Sequence, residues 1–309
     1  MFWKTYPLLD IIRSKWNREI FKDLQFEREP IYQFDVVIAN RVDSKEIKIF
    51  LKNYFGNPPK KPILNIPEDK LCGEKDIILY IKEEIIIGCI RYHYIGTFLD
   101  KEIYCVDCFC IHPLWRKKGV GDHLLTMLHV YANKNNIPYA MFLKEGYLNI
   151  INMPLYSSVY VYRKIKKSNH SVISLTIEEA YKLIDMFCEC NQMVVIKNSN
   201  NKNQHWKLYK NGIYKVVACI QDTYQEFNSN KIGFITGWIE SPFANLCNNI
   251  REDASKQISD SMYGTFDYIW GNKKWIGNSK EWNMDGSFHW YSYQWTTNIN
   301  INHSYCILI

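Results

Sequence analysis

Residues 106–125 read VDCFCIHPLWRKKGVGDHLL. A run of apolar and sulfur side chains suited to a strand meets a turn holding Arg116, Lys117 and Lys118 and the glycines Gly119 and Gly121, and a helical pattern follows. Glycine lets backbone N–H groups come close to an anion, and the open N–H groups at a helix start add a partial positive charge. The order strand, R-x-x-G-x-G turn, amphipathic helix therefore predicts a diphosphate site made by Arg116, Lys117, Lys118, Gly119, Val120 and Gly121. The glycine order is not the G-x-G-x-x-G of a dinucleotide fold, no acidic ribose partner follows, and no G-K-[ST] of a phosphate-binding loop is present.

The other chemistry-bearing residues nearby read as structural. Cys105, Cys108 and Cys110 form CVDCFC, but no second Cys or His pair at ligand spacing accompanies them, since Cys188 and Cys190 stand alone as CEC. Small apolar residues on a buried strand is the better reading. A nucleophilic role for Cys108 or Cys110 would need a lowered pKa that the sequence does not supply. His112 lies beside the turn in a structural place, and His123 and His129 on the following helix are expected to be exposed or capping. No Ser–His–Asp or Cys–His set falls on neighbouring elements, which argues against a hydrolase.

Several elements must position that turn. SKEIKIFLKNY predicts a helix with Ile47, Phe50, Leu51 and Tyr54 on one face and Ser44 as N-cap. DIILYIKEEIIIGCIRYHYIG reads as a hairpin around KEE, KEIYCVDCFCI as a strand, and YAMFLK as another. Between the last two, GDHLLTMLHVYANKNN places Leu124, Leu125, Leu128, Tyr131 and Ala132 on one helical face. A similar order recurs after residue 170: the helix SLTIEEAYKLIDMFCEC, the segment VVIK, the hairpin HWKLYKNGIYKVVACIQD, the strand KIGFITGWI, the helix NNIREDASKQISDSMYG and the strand TFDYIW. SFHWYSYQW is the clearest alternating strand. Only the first half carries the basic turn.

The 309 residues suit two domain-sized units or one large α/β body, and 47% hydrophobic residues with 15% aromatics argue for a packed globule. A net charge of +6 fits one anionic ligand better than nucleic acid, which calls for a concentrated basic stripe. No apolar run is long enough to span a bilayer, and no leader pattern opens the chain, so a soluble cytoplasmic protein with reduced thiols is expected.

The basic turn between strand and helix resembles the GCN5-related N-acyltransferase superfamily, whose members cradle the pyrophosphate of an acyl-coenzyme A there. The resemblance narrows to protein N-myristoyltransferases. FWKTYP is similar to that family's F-W-x-T-Q-P, with Tyr6 in place of Gln, and FCIHPLWRKKGV is similar to C-V-H-x-x-L-R-x-K through Cys110, Ile111, His112, Arg116 and Lys118. VYVYRKI resembles Y-W-H-R, and DGSFHWYSYQW resembles D-G-N-L-x-Y-Y-L-Y-N-W through Asp285, Gly286, Tyr291, Tyr293 and Trp295. DASKQISDSMYGTFDYIW is similar to a helix and strand of the family's second half.

This resemblance implies an α/β (α+β) fold in which two tandem acyltransferase-like halves form one saddle-shaped mixed sheet flanked by helices. The N-terminal half, 1–167, would bind acyl-CoA, and the C-terminal half, 168–309, the peptide. The implied reaction moves a myristoyl group from myristoyl-CoA to the α-amine of an N-terminal glycine. The backbone N–H groups of Cys108 and Phe109 would hold the oxyanion, and the C-terminal carboxylate of Ile309 would be the base. Phe2, Trp3, Cys110 and Ile111 would join the turn at the coenzyme, and Tyr160, Tyr291 and Tyr293 would face the peptide. The implied partners are acyl-CoA and N-terminal glycine peptides, with no cofactor beyond that co-substrate, no metal, no nucleic acid, and a monomeric enzyme.

Two departures bear on the acceptor. The family's acidic loop after Asn-Tyr is here FGNPPKKP, which is neutral to basic, and its Y-T-A-G stretch is FLKEG, with Leu143 in place of a hydroxyl residue. An acetyl-CoA-dependent acetyltransferase and a non-catalytic acyl-CoA binder remain open alternatives.

Overall fold

The computed structural model describes residues 34–56, 62–147, 154–188, 193–195, 203–242, 248–276, 280–295 and 305–307. The expected N-terminal helical segment, with Phe2 and Trp3, lies outside these residues, as does Ile309.

The first half contributes β1 (Val36–Ile38), β2 (Ile63–Leu64), β3 (Ile77–Lys82), β4 (Ile86–Phe98), β5 (Lys101–Ile111), β6 (Ala140–Glu145) and β7 (Tyr156–Lys164). Its helices are α1 (Ser44–Tyr54), the short α2 (Glu68–Leu71) and α3 (Val120–Lys134). The second half adds β8 (Ile173–Leu175), α4 (Ile177–Phe187), β9 (Met193–Val195), β10 (Gln204–Asn211), β11 (Tyr214–Phe227) and β12 (Asn230–Glu240). It ends with α5 (Asn248–Asp260), β13 (Tyr268–Asn272), α6 (Lys273–Ile276), β14 (Asn283–Tyr293) and β15 (Tyr305–Ile307).

All of these strands join one mixed sheet, whose main path runs β1-β3-β4-β5-β6-β14-β7-β13-β12-β11-β10-β8. Each half follows one scheme. Three antiparallel strands, β3-β4-β5 or β10-β11-β12, lead through a helix to a strand parallel to the third. A parallel neighbour cannot be reached by a tight turn, so α3 and α5 are the crossovers. The halves then exchange strands: β14 lies between β6 and β7, and β7 pairs with both β14 and β13. The sheet therefore continues unbroken across the middle of the chain, and the 167/168 boundary falls between β7 and β8.

Local sequence explains most boundaries. In α1, Ile47, Phe50 and Leu51 are buried as the spacing predicts, but Asp43, not Ser44, is the N-cap, and Ser44 is the buried first helical residue. Thr176 and Glu179 form a reciprocal capping box at α4. β14 departs from a half-exposed alternating strand, since His289 to Tyr293 are all buried. Its central place in the sheet covers both faces there. In sequence VVIK alternates with HWKLYKNGIYKVVACIQD like parts of one hairpin, but its described part lies in β9, which runs parallel to β15 near the end of the chain.

The core includes four fully buried tryptophans, Trp238, Trp275, Trp290 and Trp295. One buried ion pair fixes the start of α5 to β12: Arg251 Nε donates to Glu240 Oε1 at 2.7 Å, and Arg251 Nη2 to Glu240 Oε2 at 2.7 Å. Trp238 Nε1 (2.8 Å) and the Tyr214 hydroxyl (3.0 Å) donate to the same carboxylate. Removing one partner of such a pair strands the other charge. Arg251→Met is expected to lower unfolding free energy by about 3–5 kcal/mol, and adding Glu240→Gln to recover part of that loss, both measured by urea denaturation.

Candidate functional site: a splayed pair of parallel strands beside a glycine turn

β5 is the element on which the site depends. Its register against β4 pairs Cys89 with Cys110 and Arg91 with Asp107, so both Cys108 and Phe109 stand opposite Ile90. This is a β-bulge, and Cys108 takes a positive φ of 50° within it. The extra residue puts Asp107 and Cys108 toward one side and turns Phe109 to the side of Val106. Arg91 holds the bulge from β4. Its guanidinium grips Asp107 in a fork, Nε to Oδ1 at 2.7 Å and Nη2 to Oδ2 at 2.5 Å, and donates from Nη1 to Lys70 O at 3.2 Å.

On its other edge β5 pairs with β6 only at Tyr104–Ala140 and Cys105–Met141. Beyond Cys105 the two parallel strands part, and β6 stays with β14. A cavity of about 270 Å³ opens in the wedge. Its walls are Val106 and Phe109 from β5, Phe142 and Leu143 from β6, and Leu125 and Leu128 from α3, an almost wholly apolar lining.

At the end of β5 the chain makes the predicted turn. Arg116 Nε donates to Ile111 O at 3.2 Å, anchoring its guanidinium to the strand end. Lys118 Nζ stands 5.0 Å from the Trp115 ring, while Arg116, Lys117 and Lys118 remain exposed. Gly119 is the N-cap of α3 with φ 86° and ψ −13°, a left-handed conformation that disfavours any side chain. The first helical bond is His123 N to Gly119 O, 3.0 Å, so the N–H groups of Val120 and Gly121 precede any intrahelical acceptor. A Cβ at Gly121 would come within 3.1 Å of the Phe109 ring. Both glycines thus have a physical reason, one from backbone angle and one from close packing.

Of the predicted residues, Phe109 lines the wedge and meets Gly121 of the turn, whereas Cys108 and Cys110 pack with Cys89 in a core cluster on the other side of β5. Cys105, Cys108 and Cys110 are buried, and burial pushes their thiols up, that of Cys110 to about 12. Such thiols stay protonated at neutral pH, which suits apolar filling and not nucleophilic attack. No group of residues that could hold a metal occurs among the described residues. The three tyrosines separate. Tyr293 lines the cavity; Tyr160 is fully buried and accepts from Trp290 Nε1 at 3.1 Å; Tyr291 is fully buried against Phe142, with ring centroids 5.2 Å apart.

His123 and His129 are buried, contrary to the exposed or capping roles the sequence suggested. His123 Nε2 lies 2.9 Å from Phe34 O. His129 lines the cavity, shares a hydrogen bond with the Tyr293 hydroxyl through Nδ1, and has Asn133 Nδ2 at 2.8 Å from Nε2. Their positions fit the helical spacing of Leu125, Leu128 and Ala132, but the polar ring concealed their burial. His112 is structural as expected: its Nδ1 accepts from Leu114 N at 3.3 Å, and its ring packs edge-on to Tyr54.

Residues 47–159 match a family model described as Acetyltransferase (GNAT) family. This segment is similar to that family. Crystal structures of Saccharomyces cerevisiae N-myristoyltransferase share the fold over nearly the whole chain. One with bound myristoyl-CoA superposes with a TM-score of 0.62 at 10% identity, covering 97% of this chain and 94% of that one. Another with bound myristoyl-CoA gives 0.60 at 10% identity, covering 91% and 83%. A third, with bound myristoyl-CoA and inhibitors, gives 0.61 at 10% identity, covering 94% and 85%. No curated protein is a significant sequence match to this chain. At such identity the likeness establishes the fold: two tandem halves in one large mixed sheet, with six α-helices among the described residues.

Two measurements bear on the site's construction. Gly119→Ala is expected to cost roughly 1–2 kcal/mol of unfolding free energy in urea, the penalty of forcing a side chain into left-handed backbone. Burial lowers the His129 pKa to about 4, below the ordinary 6.5. The unfolded chain therefore takes up the proton first as pH falls, so this contribution is full above pH 6.5 and is lost on descending to about 4, at most about 3 kcal/mol. Comparison of urea midpoints at pH 7 and 4.5 should show a smaller acid loss in His129→Gln than in the parent.

Proposed function

We propose that this protein is an acyl-CoA-dependent N-acyltransferase that moves a myristoyl group onto the α-amine of an N-terminal glycine. The observation that carries the reading is the apolar wedge between β5 and β6, opening beside a glycine turn at a helix start. The wedge suits a thioester chain and the turn suits a diphosphate, so one acyl-CoA can span both. The extent of the fold likeness to an N-myristoyltransferase solved with myristoyl-CoA supports the longer acyl group.

In this mechanism the neutral amine attacks the thioester carbon, a C–N bond forms, and the carbonyl oxygen becomes an oxyanion. The backbone N–H groups of Cys108 and Phe109, released from a regular ladder by the bulge, stabilise that charge. Collapse of the intermediate breaks the C–S bond, and the sulfur departs as thiolate. The α-ammonium, with a pKa of about 8, first gives a proton to the carboxylate of Ile309 so that the neutral amine can attack. The second proton, shed by the nitrogen as the amide forms, goes to the departing thiolate, so coenzyme A is released as the thiol. Ile309 lies outside the described residues; the nearby β15 supports its assignment, because Tyr305, Cys306 and Ile307 are all buried between β12 and β9. The neutral-to-basic loop after Tyr54 and the presence of Leu143 in the wedge wall favour acceptors without a lysine-rich segment.

The family match over residues 47–159 favours a second reading, acetyl transfer from acetyl-CoA. Turnover with myristoyl-CoA and acetyl-CoA on the same glycine-initiated peptide separates the two, and faster acetyl transfer would overturn the first. Appending three residues after Ile309 is expected to reduce kcat by at least about a hundredfold, within the usual range for general-base removal, while acyl-CoA affinity stays unchanged. Undiminished turnover in the extended protein would exclude the terminal carboxylate as base.

A further inference from the structure

A histidine–aspartate pair lies on the sheet face opposite the acyl wedge. Tyr92 of β4 lines the wedge, so its neighbours Arg91 and His93 point to the other face. His93 stands across from Cys105 of β5, as Arg91 stands across from Asp107. His93 Nδ1 lies 2.8 Å from both carboxylate oxygens of Asp76. That carboxylate also accepts from Tyr94 N at 2.9 Å and from Gly73 N at 3.2 Å. A Cβ at Gly73 would come within 2.6 Å of Asp76 Oδ2, so the glycine makes room for it. Burial alone would raise the Asp76 pKa, but the His93 hydrogen bond and the Arg91 charge hold it below the usual carboxylate range. An ionised carboxylate only accepts, so Nδ1 carries the imidazole proton and Nε2 the lone pair. The His93 side chain is 16% exposed, against 3% for Asp76. Its Nε2 makes no hydrogen bond among the described residues and, unlike that of His289, is not sealed from water.

We propose that His93, oriented by Asp76, is the proton relay of the acyl-transfer site: Nε2 takes the proton that the acceptor ammonium gives to the Ile309 carboxylate and hands it to water. The role rests on the acyl-transfer reading. A base that has taken a proton must lose it before the next turnover, and the strand leading to Ile309 is buried at Tyr305, Cys306 and Ile307. Two features put His93 on the way out. Beyond Cys105, its partner in the register, β5 and β6 part, and there the two sheet faces communicate. Cys105 also belongs to the buried cluster that holds Val195 of β9 and Tyr305 and Ile307 of β15, and β9 packs on β4. The step consists of proton transfers alone. The carboxylic O–H breaks as Nε2–H forms, Nδ1–H stays with Asp76, and the imidazolium is balanced by that carboxylate. Nε2 then gives its proton to water, which restores both bases. Asp76 is the positioning residue, holding the tautomer that leaves Nε2 free to accept.

The test follows transfer from myristoyl-CoA to a glycine-initiated peptide by the full-length parent, His93→Ala, His93→Gln and Asp76→Asn, with melting temperature and acyl-CoA affinity measured for each. His93→Ala is expected to lower kcat by about a hundredfold, the low end for loss of an acid–base group, at unchanged acyl-CoA affinity. Added imidazoles should restore turnover, and the restored rate should rise with the basicity of the imidazole, because the added base takes the proton. Asp76→Asn should lower kcat by a similar factor, since the wrong tautomer is then held, and should not respond to imidazole. Parental kcat in His93→Ala, or rescue indifferent to basicity, would overturn the relay. If His93→Ala melts early or loses acyl-CoA binding, His93→Gln decides, and parental kcat there overturns the relay as well. Turnover that survives residues appended after Ile309 but falls in His93→Ala would make His93 the direct acceptor of the ammonium proton and overturn the route through Ile309. Absence of transfer by the parent refutes the acyl-transfer reading itself, and the role of His93 with it.

Discussion

The grip of Arg91 on Asp107 is the interaction from which the site is built. β5 has to satisfy two incompatible neighbours, a full antiparallel ladder with β4 and a parallel contact with β6 that lasts only two residue pairs. The bulge at Cys108 and Phe109 resolves the conflict by bending the strand, and the buried guanidinium holds the residue immediately before the bend. Without that kink Phe109 would face the side of Cys108, the wedge would lose a wall, and the turn at Arg116 would leave the strand in another direction. Strand, cavity and glycine turn are one mechanical unit.

The same unit explains why the site sits in only one half. Both halves place a parallel strand after a crossover helix, β5 with β6 and β12 with β13. In the second half the pairing runs through three consecutive residues, Ile232 to Phe234, and the corresponding helix start, near Asn248, follows no basic glycine turn. Topological duplication supplied two frames, and differences in a few residues equipped one of them. The other half gives packing and, through β14, the strand that draws β6 away from β5. The wedge in one half thus depends on a strand contributed by the other.

Polar groups are distributed accordingly. Most buried charges are paired for structural ends, as in Arg251–Glu240 and in Arg163, which meets Asp260 at 3.0 Å. His129 and His289 differ, because each faces a cavity. The first has its nitrogens engaged by Tyr293 and Asn133, and the second keeps one buried nitrogen without a hydrogen-bond partner among the described residues.

The sequence by itself determined the elements and the turn. Apolar spacing located α1 and α3, two apolar runs around the turn KEE located the hairpin β3–β4, and the R-x-x-G-x-G order marked a turn whose first glycine is left-handed and whose second packs against a ring. These are properties of neighbours along the chain, and local sterics express them directly. Tertiary structure decided what depends on distant pairing. The bulge at Cys108, the parting of β5 from β6, the insertion of β14 between β6 and β7, and the burial of His289 leave no periodic trace, because each is set by which strand lies alongside. A period of two says that a strand exists, but not whether both its faces are covered, and so β14 reads as half-exposed in sequence and proves central in the fold.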